Sequence, residues 1–446
     1  MMDWKKLLTP KRLGKSNLED QGFARTAFQR DYDRLIFSSA FRRLKDKTQV
    51  FSLPSNDYIR TRLIHSLEVA SVGRSLGRVV GEKIIETYQL NKGNGIEIEA
   101  ADFGDIVSAA CLAHDIGNPP FGHAGEDAIQ SGFQSWYNSA SHDEKPRVTN
   151  QQKADFDCFE GNAQGFRILT RLEMLPKKGG MQLTCPTLAA FTKYPRESVF
   201  EEPALNGYAG KSIKKHGFFQ SESELFSEVA ETVGLIRRSH SALWWSRHPL
   251  AFLVEAADDI CYSIVDVEDG YRMGYIPFKV AEELLNSIAS REEKPTEGKE
   301  AEHIKYLRAF AIHKLIQEVT EIFVENEANI LSGEFDKDLL SLSDKYSTTL
   351  DLIARETRSR VFENPDVIGI QIAGYKVLGG LFSEFADALS NNSKKSELIC
   401  KMLPEEYRPT QDESDYEKIL KITDYISGMT DSYATNLFQK FSGISL

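Results

Sequence analysis

Apolar positions along this chain recur at three- and four-residue steps, a spacing that predicts helices almost throughout. Within 59–80, Leu63, Leu67, Ala70 and Arg74 fall on one such row. Residues 105–115 (DIVSAACLAHD) are apolar nearly all round, as a buried central helix is, and Gly117 with Pro119-Pro120 stops it. Segments 222–240 and 248–270 predict two further helices, the second with Pro249 in its first turn. One stretch differs. TQVFSL at 48–53 and YIRTR at 58–62 flank Pro-Ser-Asn-Asp, which predicts a small β-hairpin with a polar turn. Strands and helices do not alternate, so a nucleotide-binding parallel sheet is disfavoured.

Beyond residue 290 the pattern breaks. REEKPTEGKEAEH at 291–303 is charged and aperiodic, and reads as an exposed loop or linker. Helical periodicity resumes over 304–330, 335–357, 364–390 and 413–440. The expected organisation is a mostly α core over 1–290, the linker, and a helical region over 304–446 packed on that core. No internal repeat is visible.

Composition narrows the class. With 446 residues, 41% apolar and 27% charged, the chain can bury a substantial core. Its net charge of −12 argues against a general nucleic-acid coat. Residues 1–80 nevertheless hold 16 Lys/Arg against 8 Asp/Glu. That basic segment is either a pocket for a polyanion such as phosphate or a solvated face. The five cysteines are scattered and lack CxxC spacing, a reduced cytosolic pattern rather than a disulfide framework or thiolate zinc site. No apolar run reaches the ~18 residues of a membrane span, and Met-Met-Asp-Trp-Lys-Lys is not a signal peptide; the expected location is cytoplasmic.

The strongest chemical signal is His114-Asp115 at the end of the apolar helix. A helix end lets adjacent side chains converge, and His with carboxylate suits a divalent metal. Arg62 and His65 share a helical face. Asp258, Tyr262 and Asp266 form an i, i+4, i+8 stripe on an otherwise apolar helix, where carboxylates are costly unless paired, solvated in a cleft or metal-bound. Asp258 and Asp259 could equally be a cap or an exposed edge. His123 and Glu126 fall in the first turn of a helix that follows GNPPFG. Such a turn can hold an anion and relay protons, or be an ordinary exposed helix start.

Together, His65…His114-Asp115…Asp258 resembles the H…HD…D pattern of the HD-domain metal-dependent phosphohydrolases. The detail is narrower. RTAFQRDYDRLIFSSAFRRLKDKTQVF, AHDIGNPPFGHAGE, FEGNAQGFRIL, LTCPTLAAFTKYP and EAADDICYSIVDVEDG resemble the bacterial deoxyguanosine triphosphate triphosphohydrolases, over about residues 25–275. The resemblance implies a mostly α fold around a buried metal, and hydrolysis of a deoxynucleoside triphosphate to deoxynucleoside and inorganic triphosphate. It implies His65, His114, Asp115 and Asp258 as metal ligands and His123 with Glu126 as the catalytic pair. Gln49 and Val50 would contact the nucleoside and Arg62 a phosphate. Lys193 and Tyr194 would lie near the phosphates, and Glu160 and Asn162 beside the catalytic pair. Tyr262 and Asp266 would face the deoxyribose. In the related SAM-and-HD-domain restriction factor of animals, histidines replace Asn118 and Phe159, so this chain follows the bacterial branch.

The implied cofactor is Mn2+ or Mg2+, with Fe, Ni, Zn or Co compatible with the same ligands. Implied partners are a dNTP, dGTP among them, and further copies of the chain, hexamers being common in the family. Trp244-Trp245 could serve an interface or the core. Two other readings stand beside this one. One is a different HD-domain nucleotide phosphohydrolase; the other is a protein that senses nucleotides or binds single-stranded nucleic acid.

Overall fold

The computed structural model describes residues 1–16, 25–49, 60–91, 98–139, 145–174, 177–199, 207–391 and 393–444. Helices dominate, as the periodicity predicts. Those that build the core and the site are α1 (Ala27–Phe37), α2 (Arg62–Tyr88), α3 (Ala100–Ala113), α4 (His123–Ser139), α5 (Gly161–Arg167), α6 (Cys185–Phe191), α7 (Ser223–Val233), α8 (Pro249–Arg272), α9 (Phe278–Ala289), α10 (Glu300–Leu331), α11 (Ser347–Thr357), α12 (Pro365–Ser390), α13 (Asp415–Ser427) and α14 (Asp431–Phe441). Among the described residues, β structure is limited to isolated bridges. One of them, Thr48 to Thr61, is antiparallel and closes the base of the expected hairpin. The rest of that hairpin, residues 50–59, lies outside the described residues.

Local chemistry sets the helix boundaries. Thr61 caps α2 by accepting from the Ile64 N–H, and α2 ends in a left-handed Gln89. Glu99 and Asp102 form a capping box at the start of α3. The α3 side chains from Asp102 to Ala113 are all buried, which matches the apolar run read from the sequence.

Three expected helices are shorter than their periodicity suggests. The one over 222–240 stops at Val233, because Gly234 takes a left-handed conformation, and the chain then bridges Arg196 and Arg237 to Trp244 and Trp245. Over 335–357 only α11 is helical beyond a single tight turn. Asp336 is drawn away to the Ser212 N–H and the Tyr208 hydroxyl, and Asp338 to Lys211. The stretch 413–440 is two helices, with Thr430 capping the second. The charged loop ends where α10 begins at Glu300.

Among the described residues, two apolar cores hold the molecule. The first surrounds α2, α3, α8, α9 and α10 and includes Phe103, Leu112, Phe252, Ile260 and Phe323. The second joins Phe133 and Trp136 of α4 to Phe382 and Phe385 of α12 and to Ile419 and Ile426 of α13. Phe133 meets Phe382 edge-on with centroids 6.3 Å apart. Burial of each such side chain contributes roughly 1.5–3 kcal/mol. Helix α3 ends in the first core and α4 starts the second, so the turn between them, 114–122, lies at their junction. Gly117 is required there. A Cβ on it would come 2.1 Å from both the Gly161 carbonyl and the Gly165 nitrogen of α5.

Candidate active site

A cleft of about 500 Å³ opens at this junction. At its floor His65 from α2, His114 and Asp115 from the end of α3, and Asp258 from the middle of α8 converge. His65 Nε2 lies 3.0 Å from Asp258 Oδ1, and His114 Nε2 lies 3.6 Å from the same oxygen and 3.5 Å from Asp115 Oδ1. Asp258 is therefore neither a cap nor a surface edge. It is part of the cleft wall, with its side chain 34% exposed.

These side chains fit a divalent cation. His65, His114 and Asp115 each offer a ligand atom, all within 4.8 Å of one another. His114 Nδ1 donates to the Cys111 carbonyl at 2.6 Å, which orients the ring with Nε2 toward the cluster. Asp115 Oδ2 is buried with no hydrogen-bond partner. Its other oxygen accepts from Arg62 at 2.9 Å and from Asn118 Nδ2 at 2.6 Å. Burial raises the carboxyl pKa values of Asp115 and Asp258. It is outweighed at Asp115 by Arg62 and then His114, and at Asp258 by His114 and the His65 hydrogen bond, so both are held below the usual range.

A second group lines the same cleft. His123, the first residue of α4, is exposed to the cleft. Burial of its surroundings, then Lys215 and Arg62, lower its pKa. Glu126, one turn on, accepts from the Gly161 N–H at 2.8 Å and faces Lys215 at 3.6 Å. Glu160 caps α5, takes the Asn162 amide at 2.6 Å and pairs with Lys215 at 2.9 Å. Burial raises both glutamates. The loop before His123 is tightly specified. Gly122 has φ +59°, and a Cβ there would lie 2.7 Å from the Arg62 guanidinium.

Two family profiles match the chain: the HD domain over residues 62–151 and the phosphohydrolase-associated domain over 340–440. A deoxyguanosinetriphosphate triphosphohydrolase-like protein of Synechocystis sp. is 56% identical, with all of both chains covered. One of Pseudomonas aeruginosa is 39% identical over the whole of this chain and 99% of its own length. A deoxyguanosinetriphosphate triphosphohydrolase of Salmonella paratyphi A is 30% identical over 94% of each chain. This chain belongs to the deoxyguanosinetriphosphate triphosphohydrolase-like family. It is an HD-domain hydrolase, and its fold is the mostly α one the resemblance implies.

The remaining residues singled out in the sequence distribute as follows. Gln49, Arg62, Glu160, Asn162, Lys193, Tyr194 and Tyr262 all line the cleft of this family member. Val50 lies outside the described residues. Asp266 does not line the cleft. It is buried one turn beyond Tyr262 with Oδ2 unpartnered, and burial, then Asp269, push its carboxyl well above the usual range. Lys193 is paired with Glu255 at 3.0 Å, and Glu255 with Arg247 at 2.7 Å.

Several cations of the basic N-terminal segment are held by partners of their own. Arg12 is buried against Asp31, Arg60 pairs with Glu68, Glu268 and Asp269, and Arg25 pairs with Asp33. Among the described residues of that segment, Arg62 is the cation that lines the cleft. The other cleft cations among the described residues are Lys193 and Lys215. Lys215 was missed in the sequence because it follows Lys211 and Lys214 in what reads as a solvated run. Phe362, Val367, Ile370 and Gln371 also line the cleft, from a region where only helix periodicity was legible. No helix among the described residues is long and apolar enough to cross a membrane.

Proposed function

We propose that this hydrolase cleaves deoxynucleoside triphosphates to deoxynucleoside and inorganic triphosphate. The observation that carries the reading is one cleft that joins a His–His–Asp cluster, three cations and an accessible histidine at the start of a helix. The reaction forms a bond from a water oxygen to the α-phosphorus and breaks the bond from that phosphorus to the 5′-oxygen, which leaves with a proton.

His65, His114, Asp115 and Asp258 would hold the divalent ion, Mn2+ or Mg2+ by the hardness of the two carboxylates. Such an ion supplies charge neutralisation at the α-phosphate and lowers the pKa of bound water. Arg62, Lys193 and Lys215 bind the phosphates through charge-assisted hydrogen bonds. His123 holds the proton that is exchanged at the reacting phosphate. It is neutral in the free cleft because of burial and two neighbouring cations, and a bound polyphosphate offsets those cations and favours its protonation. Glu126 and Glu160 fix Lys215, and through it the charge beside His123. Tyr262 stacks on Phe362 with centroids 5.7 Å apart and an interplanar angle of 12°, and this pair forms the wall for the sugar.

The test is to incubate metal-loaded protein with each dNTP, singly and in mixtures, and separate the products by chromatography. Deoxynucleoside plus inorganic triphosphate, abolished by a chelator and restored by Mn2+, is the expected result. Orthophosphate or pyrophosphate as the sole inorganic product would overturn the reading.

A further inference from the structure

One buried carboxylate outside the candidate ligand set grips both rims of the cleft. Asp431 is the first residue of α14 and only 2% exposed. Its Oδ1 accepts the Phe121 N–H at 3.1 Å. Its Oδ2 accepts the Thr48 N–H at 3.0 Å and the Thr48 hydroxyl at 2.5 Å. Thr48 precedes Gln49 on one rim. Phe121 lies two residues before His123 on the other.

The backbone that Asp431 holds is strained. Phe121 has φ +61°, in the left-handed region that a bulky L-residue avoids, and Gly122 follows at +59°. Such a conformation is unfavourable and persists only where its surroundings over-determine it. Here they do. Asp431 fixes the Phe121 amide, the Phe121 ring packs on Gly374 of α12, and Lys47 ties the Asn118 carbonyl to the Ser427 carbonyl at 2.5 and 2.8 Å. Ser432 adds a bond to Asp46 at 3.0 Å.

We infer that Asp431 is a positioning residue that holds the Phe121–Gly122 turn in its left-handed form, so that His123 faces the cleft in register with the Thr48–Gln49 rim. The assignment rests on the reading of His123 given above. It makes the C-terminal helices part of the catalytic apparatus without any contact to substrate. A misplacement of about 1 Å at a reacting group can cost roughly 10²-fold in rate.

Asp431→Asn keeps volume but turns one acceptor into a donor that faces N–H or O–H groups. The variant should retain bound metal and a near-normal KM, while kcat falls roughly 10²-fold. Adding Phe121→Gly, which removes the left-handed penalty, should recover part of that kcat even though apolar packing is lost. Glu327→Gln is the stability control, since Glu327 is a buried carboxylate that accepts from Trp4 and Tyr88 far from the cleft. It should lower Tm and leave kcat unchanged. Hydrogen exchange should show faster exchange in the 117–126 peptide of Asp431→Asn, and this readout does not depend on the reaction. Unchanged kcat in Asp431→Asn with slow exchange at 117–126 would overturn the inference, as would a kcat loss that Phe121→Gly fails to lessen. Wild-type protein that hydrolyses no dNTP would sink the functional reading alone, and the exchange arm would still decide the clamp.

Discussion

His123 and Asp258 sit in one cleft, but their surroundings differ. Asp258 shares an oxygen with two imidazoles, whereas His123 faces Arg62 and Lys215 and stands apart from the cluster. His123→Ala should therefore keep its metal and bind dNTP, with a turnover loss of ~10²–10⁴. Single-turnover kinetics on metal-saturated variant, with calorimetric dNTP binding beside it, check this, and near-normal turnover would remove His123 from the chemistry. Asp258→Ala should lose metal and nearly all activity. Full occupancy by elemental analysis would take Asp258 out of the ligand set and make its neighbour Asp259 the next candidate. Burial has pushed the Asp259 carboxyl up to about 7, so at neutral pH it is the poorer ligand of the two.

At the scale of single elements, the junction of α3, α4 and α5 leaves no room for side chains. Gly117→Ala would drive a Cβ into two backbone atoms of α5, which cannot move aside as a flexible side chain would. A loss of roughly 1–3 kcal/mol or more is expected in urea unfolding. The start of α8 gives a pH-dependent prediction. His248 caps the helix by accepting the Leu250 N–H on Nδ1 and donates from Nε2 to the Leu7 carbonyl, which requires the neutral ring. Burial lowers its pKa to about 4 from 6.5. Between those values the unfolded chain binds the extra proton and the native state does not. Stability is thus full above about 6.5, falls as pH drops toward 4, and loses about 3 kcal/mol in all from this group. His248→Asn keeps a cap without the titration, so its Tm should vary less with pH over that window. Equal pH dependence in the two proteins would exclude His248 as the source.

For the whole molecule, the second core matters most. Its side chains come from α4 and the segment around Phe156–Ala163 on one side, and from α12, α13 and α14 on the other. Neither side can bury its apolar face alone. Scanning calorimetry should therefore show one cooperative transition, because unfolding of the C-terminal helices strips α4 of its packing. Two separated transitions would instead support a core and a C-terminal region that fold independently. The arrangement also accounts for the position of the cleft. Its floor is fastened to the first core through α2, α3 and α8, its far wall to the second through α4, and its rims to α14.

Residue type and helical step alone left the Asp258 stripe and the His123–Glu126 turn open to ordinary readings, a cap or an exposed helix start. The family resemblance named the candidate site, and it could do so because each motif that carries it is short-range. Helix positions were legible for the same reason, since periodicity and capping act within a turn or two. Helix lengths were less so. Asp336 and Asp338 end a periodic stretch through partners more than a hundred residues away, and no local pattern records that. Charge was the least legible property. Arg12, Lys47 and Arg60 look like parts of one basic face, yet each is held by its own partner, while Lys215 looks solvated and lines the cleft. The sequence by itself determined the family and the candidate residues, because the motifs that carry the resemblance are local. Only the tertiary structure decided which cations and which aromatic pair line the cleft and which carboxylate, distant in sequence, reaches its rims, because pairing and burial depend on segments that meet only when the two cores pack together.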